Sequence, residues 1–243
     1  MNKRFIPNLI TILNMFWGFV AIALMLNDRF IAAGWMILLA GFMDAIDGKV
    51  ARFIGIPSKF GTEFDSLADT VSFCLAPSIL VYKLYVTGLP PVVALAISFI
   101  PLLMGTVRLA KFNLIDEPQP YYTGLTTPMN SILIFGFMMF NERILGNPGD
   151  PRLALVLVIL FGFMMNSPIR FSKLPLITFK SGQKNTRRLI FFSILPLIVL
   201  FGQGLVIFPI LFIYTTWSVL DWILHPNRFD DLEIMPEYHS RDR

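Results

Sequence analysis

Eight apolar segments follow one another along this chain of 243 residues, and they limit the fold more than any other feature. Inside a bilayer every backbone polar group needs a partner within the protein, so segments of this length span a membrane as helices. Hydrophobic residues make up 55% of the chain, and its mean hydropathy is +0.67. We therefore predict an all-α, polytopic integral membrane helical bundle of about eight transmembrane helices. The segments run at about 6 to 26, 30 to 53, 62 to 86, 91 to 113, 126 to 145, 152 to 168, 188 to 202 and 204 to 224.

The order of these segments indicates a single membrane domain over residues 1–225, followed by a polar tail over residues 226–243. No repeat or low-complexity sequence divides the first 225 residues. The seventh and eighth segments are separated only by Gly202, Gln203 and Gly204, and the seventh is short for a hydrocarbon layer of about 30 Å. These two segments therefore either span the membrane or form a re-entrant pair.

The basic residues predict the orientation. With a cytoplasmic N-terminus, most of the 20 Lys and Arg residues fall on the cytoplasmic side, as the positive-inside rule requires. We therefore expect a multi-pass protein of the cell membrane, with residues 44 to 69 at the cytoplasmic side. The net charge of +4 does not indicate a nucleic-acid partner, because juxtamembrane Lys and Arg are ordinary topology signals and no aromatic stacking surface accompanies them.

Four carboxylates interrupt the apolar pattern in the stretch DAIDGKVARFIGIPSKFGTEFDSLAD. Asp44 and Asp47 are three residues apart, and Asp65 and Asp69 are four apart, so each pair shares one face of a helix. An ionised acid at membrane depth is costly unless it is paired or bound to a cation. Hard divalent cations prefer carboxylate oxygens, and no Cys or His lies in the stretch to suggest zinc. The spacing predicts a divalent cation site.

The same stretch contains D-x-x-D-G-x-x-A-R, then eight residues, then G-x-x-x-D-x-x-x-D. With every fixed position filled, the chain resembles the CDP-alcohol phosphotransferase family of integral membrane enzymes. Four further sequences resemble its serine-using branch: IPNLITILN, EFDSLADTVSFCLAP, VRLAKFN and YYTGLTTP. The resemblance implies a six-helix catalytic core plus two further helices. Since members are commonly homodimers, it also implies a homodimer.

The resemblance further implies transfer of a phosphatidyl group from CDP-diacylglycerol to the hydroxyl of L-serine, with release of CMP. Asp44, Asp47, Asp65 and Asp69 match the residues that hold two divalent cations, Mg²⁺ or Mn²⁺. Asp69 also matches the catalytic general base. A carboxylate in that role makes physical sense, because a serine hydroxyl is a poor nucleophile at neutral pH until its proton is taken.

Four more motif positions are assigned to the donor. Gly48, Ala51 and Gly61 match positions that line the nucleotide site of the family, and their small side chains leave room near the backbone. Arg52 matches the motif arginine. It either binds the donor's phosphates or pairs with a motif carboxylate, and both roles suit a guanidinium beside acids.

Polar residues outside the motif are candidates for donor or serine contacts. Asn8 and Thr11 share a face of the first helix, where they either contact the donor or cap the helix. Arg108 and Lys111 lie near the end of the fourth segment, where either could bind the serine carboxylate or serve only as flanking positive charge. Further candidates for the serine ammonium or the lipid phosphate are Asn113, Tyr122 and Thr123.

Two alternatives remain at this stage. The acceptor could be glycerol 3-phosphate or inositol, or the donor an ether lipid, because the core motif is common to those members. A transporter or channel could also use the carboxylates as a cation site. Such a protein has no need for the adjoining Gly, Ala and Arg pattern, and it would move cations without releasing CMP.

Overall fold

The computed structural model describes residues 5–54, 59–114, 121–172, 202 and 204–225. These residues are mostly helical, as predicted. A π-helix, Thr70–Leu75, joins α3 to α4, and two short strands, β1 (Tyr121–Thr123) and β2 (Arg170–Ser172), pair with each other. The helices are α1 (Phe5–Leu26), α2 (Phe30–Ile54), α3 (Lys59–Asp69), α4 (Ala76–Leu84), α5 (Pro91–Phe112), α6 (Thr127–Leu145), α7 (Pro151–Met165) and α8 (Ile207–Leu224).

Within the described ranges, five helical runs are long and apolar enough to cross a membrane. They are α1, α2, the continuous run Lys59–Leu84, α5 and α8. Helix α7 is apolar but has only 15 residues, and α6 carries amide and charged side chains along its 19 residues. The predicted segment at 188 to 202 and the polar tail at 226–243 lie outside the described residues. The predicted count of about eight spans is therefore not confirmed.

Helix α6 is the most enclosed part of the bundle. It packs against α2, α7 and α8, and small residues let these helices approach. A Cβ on Gly41 of α2 would lie 3.3 Å from Ile132 of α6, and one on Gly136 of α6 would lie 3.4 Å from the backbone of Phe208 in α8. Large apolar side chains point outward from the surrounding helices, as expected in lipid; they include Phe16, Phe19, Leu95, Phe99 and Trp217.

Helix α5 contains a proline, and a side chain of α4 supplies a hydrogen-bond acceptor to the residue that follows it. Pro101 interrupts the hydrogen-bond ladder because it has no N–H and its ring displaces the preceding turn. The adjacent Leu102 N–H donates to Oγ of Ser78 at 3.0 Å. This contact between helices fixes the relative height of α4 and α5.

The two strands form an antiparallel ribbon that the sequence analysis did not predict. Tyr121 pairs with Ser172, and Thr123 with Arg170, whose guanidinium carbon lies 4.7 Å from the centre of the Tyr121 ring. Gly124 follows β1 with a φ of 71°, where a Cβ would collide with the carbonyl of Met165. The ribbon therefore ties the segment before α6 to the end of α7.

Candidate active site

Three of the four motif acids converge. Asp44 and Asp47 lie near the end of α2, and Asp65 lies on α3, so two successive helices bring them together. One carboxylate oxygen from each of the three lies within 4.8 Å of the others. Asp47 is almost fully buried, and the other two are partly buried. The predicted sharing of helix faces thus produces a compact group of oxygens in the structure.

The charges of this group have no salt-bridge partner among the side chains that the structure describes. No Lys, Arg or His whose side chain is described forms a salt bridge with any of the four motif acids. Oδ1 of Asp65 is buried and has no hydrogen-bond partner among the described residues. Clustered buried acids attract a cation, and an all-oxygen donor set fits a hard divalent ion. The residues present therefore fit Mg²⁺ or Mn²⁺.

Helix α1 supports the cluster from a third side. Thr11 Oγ1 donates a hydrogen bond of 3.1 Å to Oδ2 of Asp47. Thr11 lies in the second turn of α1 and away from its first residue, so the helix-cap alternative does not describe it. Asn8, the other predicted residue on α1, is partly buried one turn earlier.

Asp69 lies outside the group of three and is held differently. Its Oδ1 accepts from Nδ2 of Asn14 at 3.1 Å, and its Oδ2 accepts from Oγ1 of Thr127 at 3.4 Å. Charges on Asp44, Asp65 and Asp47 repel the charge on Asp69, so it belongs to the same electrostatic centre. Asp69 thus lies beside Asp44 at the edge of the group of three, and α1 and α6 also contribute to its orientation.

The predicted nucleotide residues surround the end of α2 and the start of α3. Gly48 follows Asp47 directly, and a Cβ at this position would meet no atom of the described residues within 4 Å, so space lies beside it in that part of the structure. Gly61 is partly buried in the first turn of α3. Ala51 and Arg52 are helical, but their side chains lie outside the described part of the chain, and neither alternative for Arg52 is tested.

Arg108 and Lys111 have different environments, although both lie near the end of α5. Arg108 is partly buried, and the groups that interact with it electrostatically include Asp69 and Tyr122. Its Nε is buried without a hydrogen-bond partner in the described residues. Lys111 is exposed. Of the two predicted candidates, Arg108 is therefore the one that faces the acids.

Asn113 has a structural partner on each side of Asp65. Its Nδ2 donates to Oε2 of Glu63 at 3.2 Å, and its Oδ1 accepts from Oγ of Ser66 at 3.1 Å. Both partners lie on α3. The amide that the sequence suggested for serine binding thus holds the helix of Asp65 against the end of α5.

Two contacts of the site were absent from the sequence analysis: Asn14 and Thr127. Asn14 is three residues after Thr11 and therefore on the same face of α1, which was a usable signal. Thr127 had no such signal, because only the packing of α6 beside Asp69 gives its hydroxyl a role.

Comparison with known proteins places these residues in a family. The family profile of CDP-alcohol phosphatidyltransferase matches residues 4–165, which contain α1 to α7 and every acid of the cluster. The CDP-diacylglycerol–serine O-phosphatidyltransferase of Helicobacter pylori strain J99 is 30% identical over 220 residues, covering 89% of this chain and 90% of the relative. The protein of that name from Methanocaldococcus jannaschii is 35% identical over 170 residues, covering 70% and 75%. The archaetidylserine synthase of Methanothermobacter thermautotrophicus is 33% identical over 136 residues, covering 55% and 58%. The chain belongs to the CDP-alcohol phosphatidyltransferase family.

Proposed function

We propose that this protein transfers a phosphatidyl group from CDP-diacylglycerol to the hydroxyl of L-serine, giving phosphatidylserine and CMP. The observation that carries the proposal is the convergence of Asp44, Asp47 and Asp65 with no neutralising salt bridge among the described side chains. Membership of the family supplies the reaction class, and the serine-using relatives supply the acceptor.

The acids divide into two roles. Asp44, Asp47 and Asp65 would hold two divalent cations, Mg²⁺ or Mn²⁺, and Asp69 would complete the ligands of the second ion. When bound, such ions neutralise the pyrophosphate of the donor and stabilise the departing CMP. Thr11 fixes the carboxylate of Asp47 through their hydrogen bond, so the ligand does not have to reorient when the site fills.

Asp69 is the general base in this proposal. It takes the proton of the serine hydroxyl as the hydroxyl oxygen attacks the phosphorus that bears diacylglycerol. The bond from that phosphorus to the CMP oxygen breaks, and the electron pair leaves with CMP. No covalent enzyme intermediate is needed, because the acceptor oxygen attacks directly.

The nucleotide of the donor lies against Gly48, Ala51 and Gly61 in this proposal. The open space beside Gly48 supports its part, since a nucleotide can approach the backbone there. Arg52 and Asn8 are assigned to the donor's phosphates and polar groups on the resemblance alone.

Arg108 binds the carboxylate of serine in this proposal. Its guanidinium interacts with Asp69, so a carboxylate bound to it lies on the same side of the site as the base. The planar fork of Arg matches a carboxylate with two parallel hydrogen bonds. This contact distinguishes an amino acid from inositol, which carries no carboxylate.

We also propose one catalytic membrane domain over residues 1–225, assembled as a homodimer in the cell membrane, with the acids at the cytoplasmic side. The basic residues support this orientation. It places the site in the compartment that holds nucleotides and free amino acids.

CMP release tests the function directly. Purified, detergent-solubilised protein is supplied with CDP-diacylglycerol, a divalent cation and either L-serine or no acceptor, and the lipid product is identified by mass spectrometry. We expect CMP to appear with serine, together with phosphatidylserine. Release of CMP only with glycerol 3-phosphate or inositol would refute the serine assignment. Failure of every acceptor tested to give CMP would refute the transfer reaction.

The archaetidylserine synthase relative supports a second donor, an ether-linked CDP lipid. It leaves the acceptor and the acids unchanged, because only the lipid chains differ. Supplying the ester and the ether donor in parallel at equal concentration separates the two. If the ether donor gives the higher kcat/KM, it takes the place of CDP-diacylglycerol as the proposed donor.

A further inference from the structure

The carboxylate of Asp69 receives a hydrogen bond on each oxygen from a neutral side chain. Asn14 Nδ2 donates to Oδ1 at 3.1 Å, and Thr127 Oγ1 donates to Oδ2 at 3.4 Å. The first donor lies on α1 and the second in the first turn of α6. Two helices that are far apart in sequence therefore meet at the fourth acid.

Both donors are enclosed and held by their own neighbours. Asn14 is 0% exposed and Thr127 is 1% exposed. The backbone carbonyl of Asn14 accepts from Oγ of Ser72 at 3.0 Å, and Gly18, one turn further along α1, makes room for that serine, because a Cβ there would collide with it. These contacts therefore fix the backbone of α1 at Asn14 and enclose its side chain, whose Oδ1 is buried without a hydrogen-bond partner among the described residues.

The chemistry of the two donors suits a base. A carboxylate has about four lone-pair positions, so two donors leave about one free position on each oxygen. Neutral donors orient the group, whereas a salt bridge from Lys or Arg would cancel the charge that attracts a proton. Hydrogen bonds at catalytic groups are often long without substrate, which is consistent with the 3.4 Å contact of Thr127.

We infer that Asn14 and Thr127 are positioning residues for Asp69: they hold its carboxylate in the orientation that accepts the proton of the incoming hydroxyl. The inference rests on the proposed function, which makes Asp69 the base. It adds that the transfer step depends on α1 and α6, although neither helix supplies a motif acid. Donor binding and the cation at the three converging acids do not require this orientation, whereas the second proposed cation shares Asp69 as a ligand.

Thr127→Val is the sharpest test, because it removes a hydroxyl and keeps the shape of the side chain. Displacing a catalytic group by about 1 Å costs on the order of 100-fold in rate, so we expect kcat to fall by roughly 10- to 100-fold. The KM for CDP-diacylglycerol and Mn²⁺ binding at the three converging acids, followed by electron paramagnetic resonance, should not change. Thr127→Ser restores the hydroxyl and should recover most of kcat. Asn14→Leu should lower kcat in the same way.

Matched controls remove the same groups elsewhere. Thr106→Val deletes a hydroxyl that bonds only to carbonyls of its own helix, and Asn141→Leu deletes an amide bonded to the carbonyl of Phe137 on its own helix. Both should keep the wild-type kcat. Thermal unfolding of all variants identifies any loss of fold. If Asn14→Leu does not fold, Thr127→Val and Thr127→Ser decide the question.

Three outcomes distinguish a failure of this inference from a failure of the proposed function. An unchanged kcat in Thr127→Val, with Asp69→Asn inactive, overturns the positioning role and leaves the base in place. Loss of Mn²⁺ from the three converging acids in Thr127→Val, as expected for Asp65→Asn, also overturns it, because the residue would then support that cation site. Full transfer by Asp69→Asn overturns the proposed base itself.

Discussion

Replacing Arg108 by Gln tests the proposed serine site most directly, because it removes a charged fork and leaves a polar side chain. A bidentate pair of Arg and carboxylate consists of charge-assisted hydrogen bonds worth about 1.5–3 kcal/mol each. Arg108 is only partly buried, so solvent weakens the pair, and we take about 2 kcal/mol for the whole contact. Since about 1.4 kcal/mol is a factor of ten, the KM for serine should rise roughly 30-fold. The KM for serine of Arg108→Lys should lie between those of the wild type and Arg108→Gln, because lysine keeps the charge and lacks the planar guanidinium.

The assay measures CMP release while serine and CDP-diacylglycerol are varied separately. We expect the effect in the KM for serine alone, because the donor does not contact the guanidinium in this proposal. Lys111→Gln removes an exposed positive charge from the same end of α5, and its serine KM should match the wild type. An unchanged serine KM in a folded Arg108→Gln protein would refute the assignment. So would an equal rise in the KM for the donor.

Three further perturbations test other parts of the structure. Asp65→Asn should abolish turnover and weaken Mn²⁺ binding in a paramagnetic resonance titration, because it removes a charge from the group of three. Treatment of the wild-type protein with EDTA should also abolish turnover, and adding Mg²⁺ or Mn²⁺ should restore it. Gly48→Ala should leave the thermal unfolding temperature unchanged or raised, since a methyl group there meets no atom of the described residues. It should nevertheless weaken CDP binding, measured by calorimetry, because the proposed nucleotide site lies on that surface. Ser78→Ala should lower the unfolding free energy by about 1 kcal/mol without changing kcat, because Leu102 loses its partner across α4 and α5.

The acid cluster could be predicted from the sequence because its information is local. Asp44 and Asp47, like Asp65 and Asp69, are related by the helical repeat, and only a short connection separates the two helices. The difference between Asp65 and Asp69 was not predictable in this way. It arises because Asn14 and Thr127, from α1 and α6, reach Asp69, and helical spacing within one segment carries no information about such neighbours.

Hydropathy predicted the class of the fold better than the number of spans. The apolar residues of α6 predicted the helix, but they did not indicate that neighbouring helices enclose it or that it buries polar side chains such as Asn130 and Ser131. Apolarity alone does not distinguish a helix surrounded by protein from one surrounded by lipid. The ribbon of β1 and β2 was missed for a related reason, since three-residue strands have too little alternation to be recognised.

Charge balance explains why the site is built from two kinds of contact. Four carboxylates meet at one end of the bundle, and the donors that the structure gives them are neutral, as at Asp47 and Asp69. Neutral donors fix orientation without removing charge, so the site keeps its demand for positive charge. The proposed divalent cations would meet this demand. Arg108 stands beside the fourth acid without a salt bridge to it in the described residues, so its charge remains available for an anionic group of the acceptor.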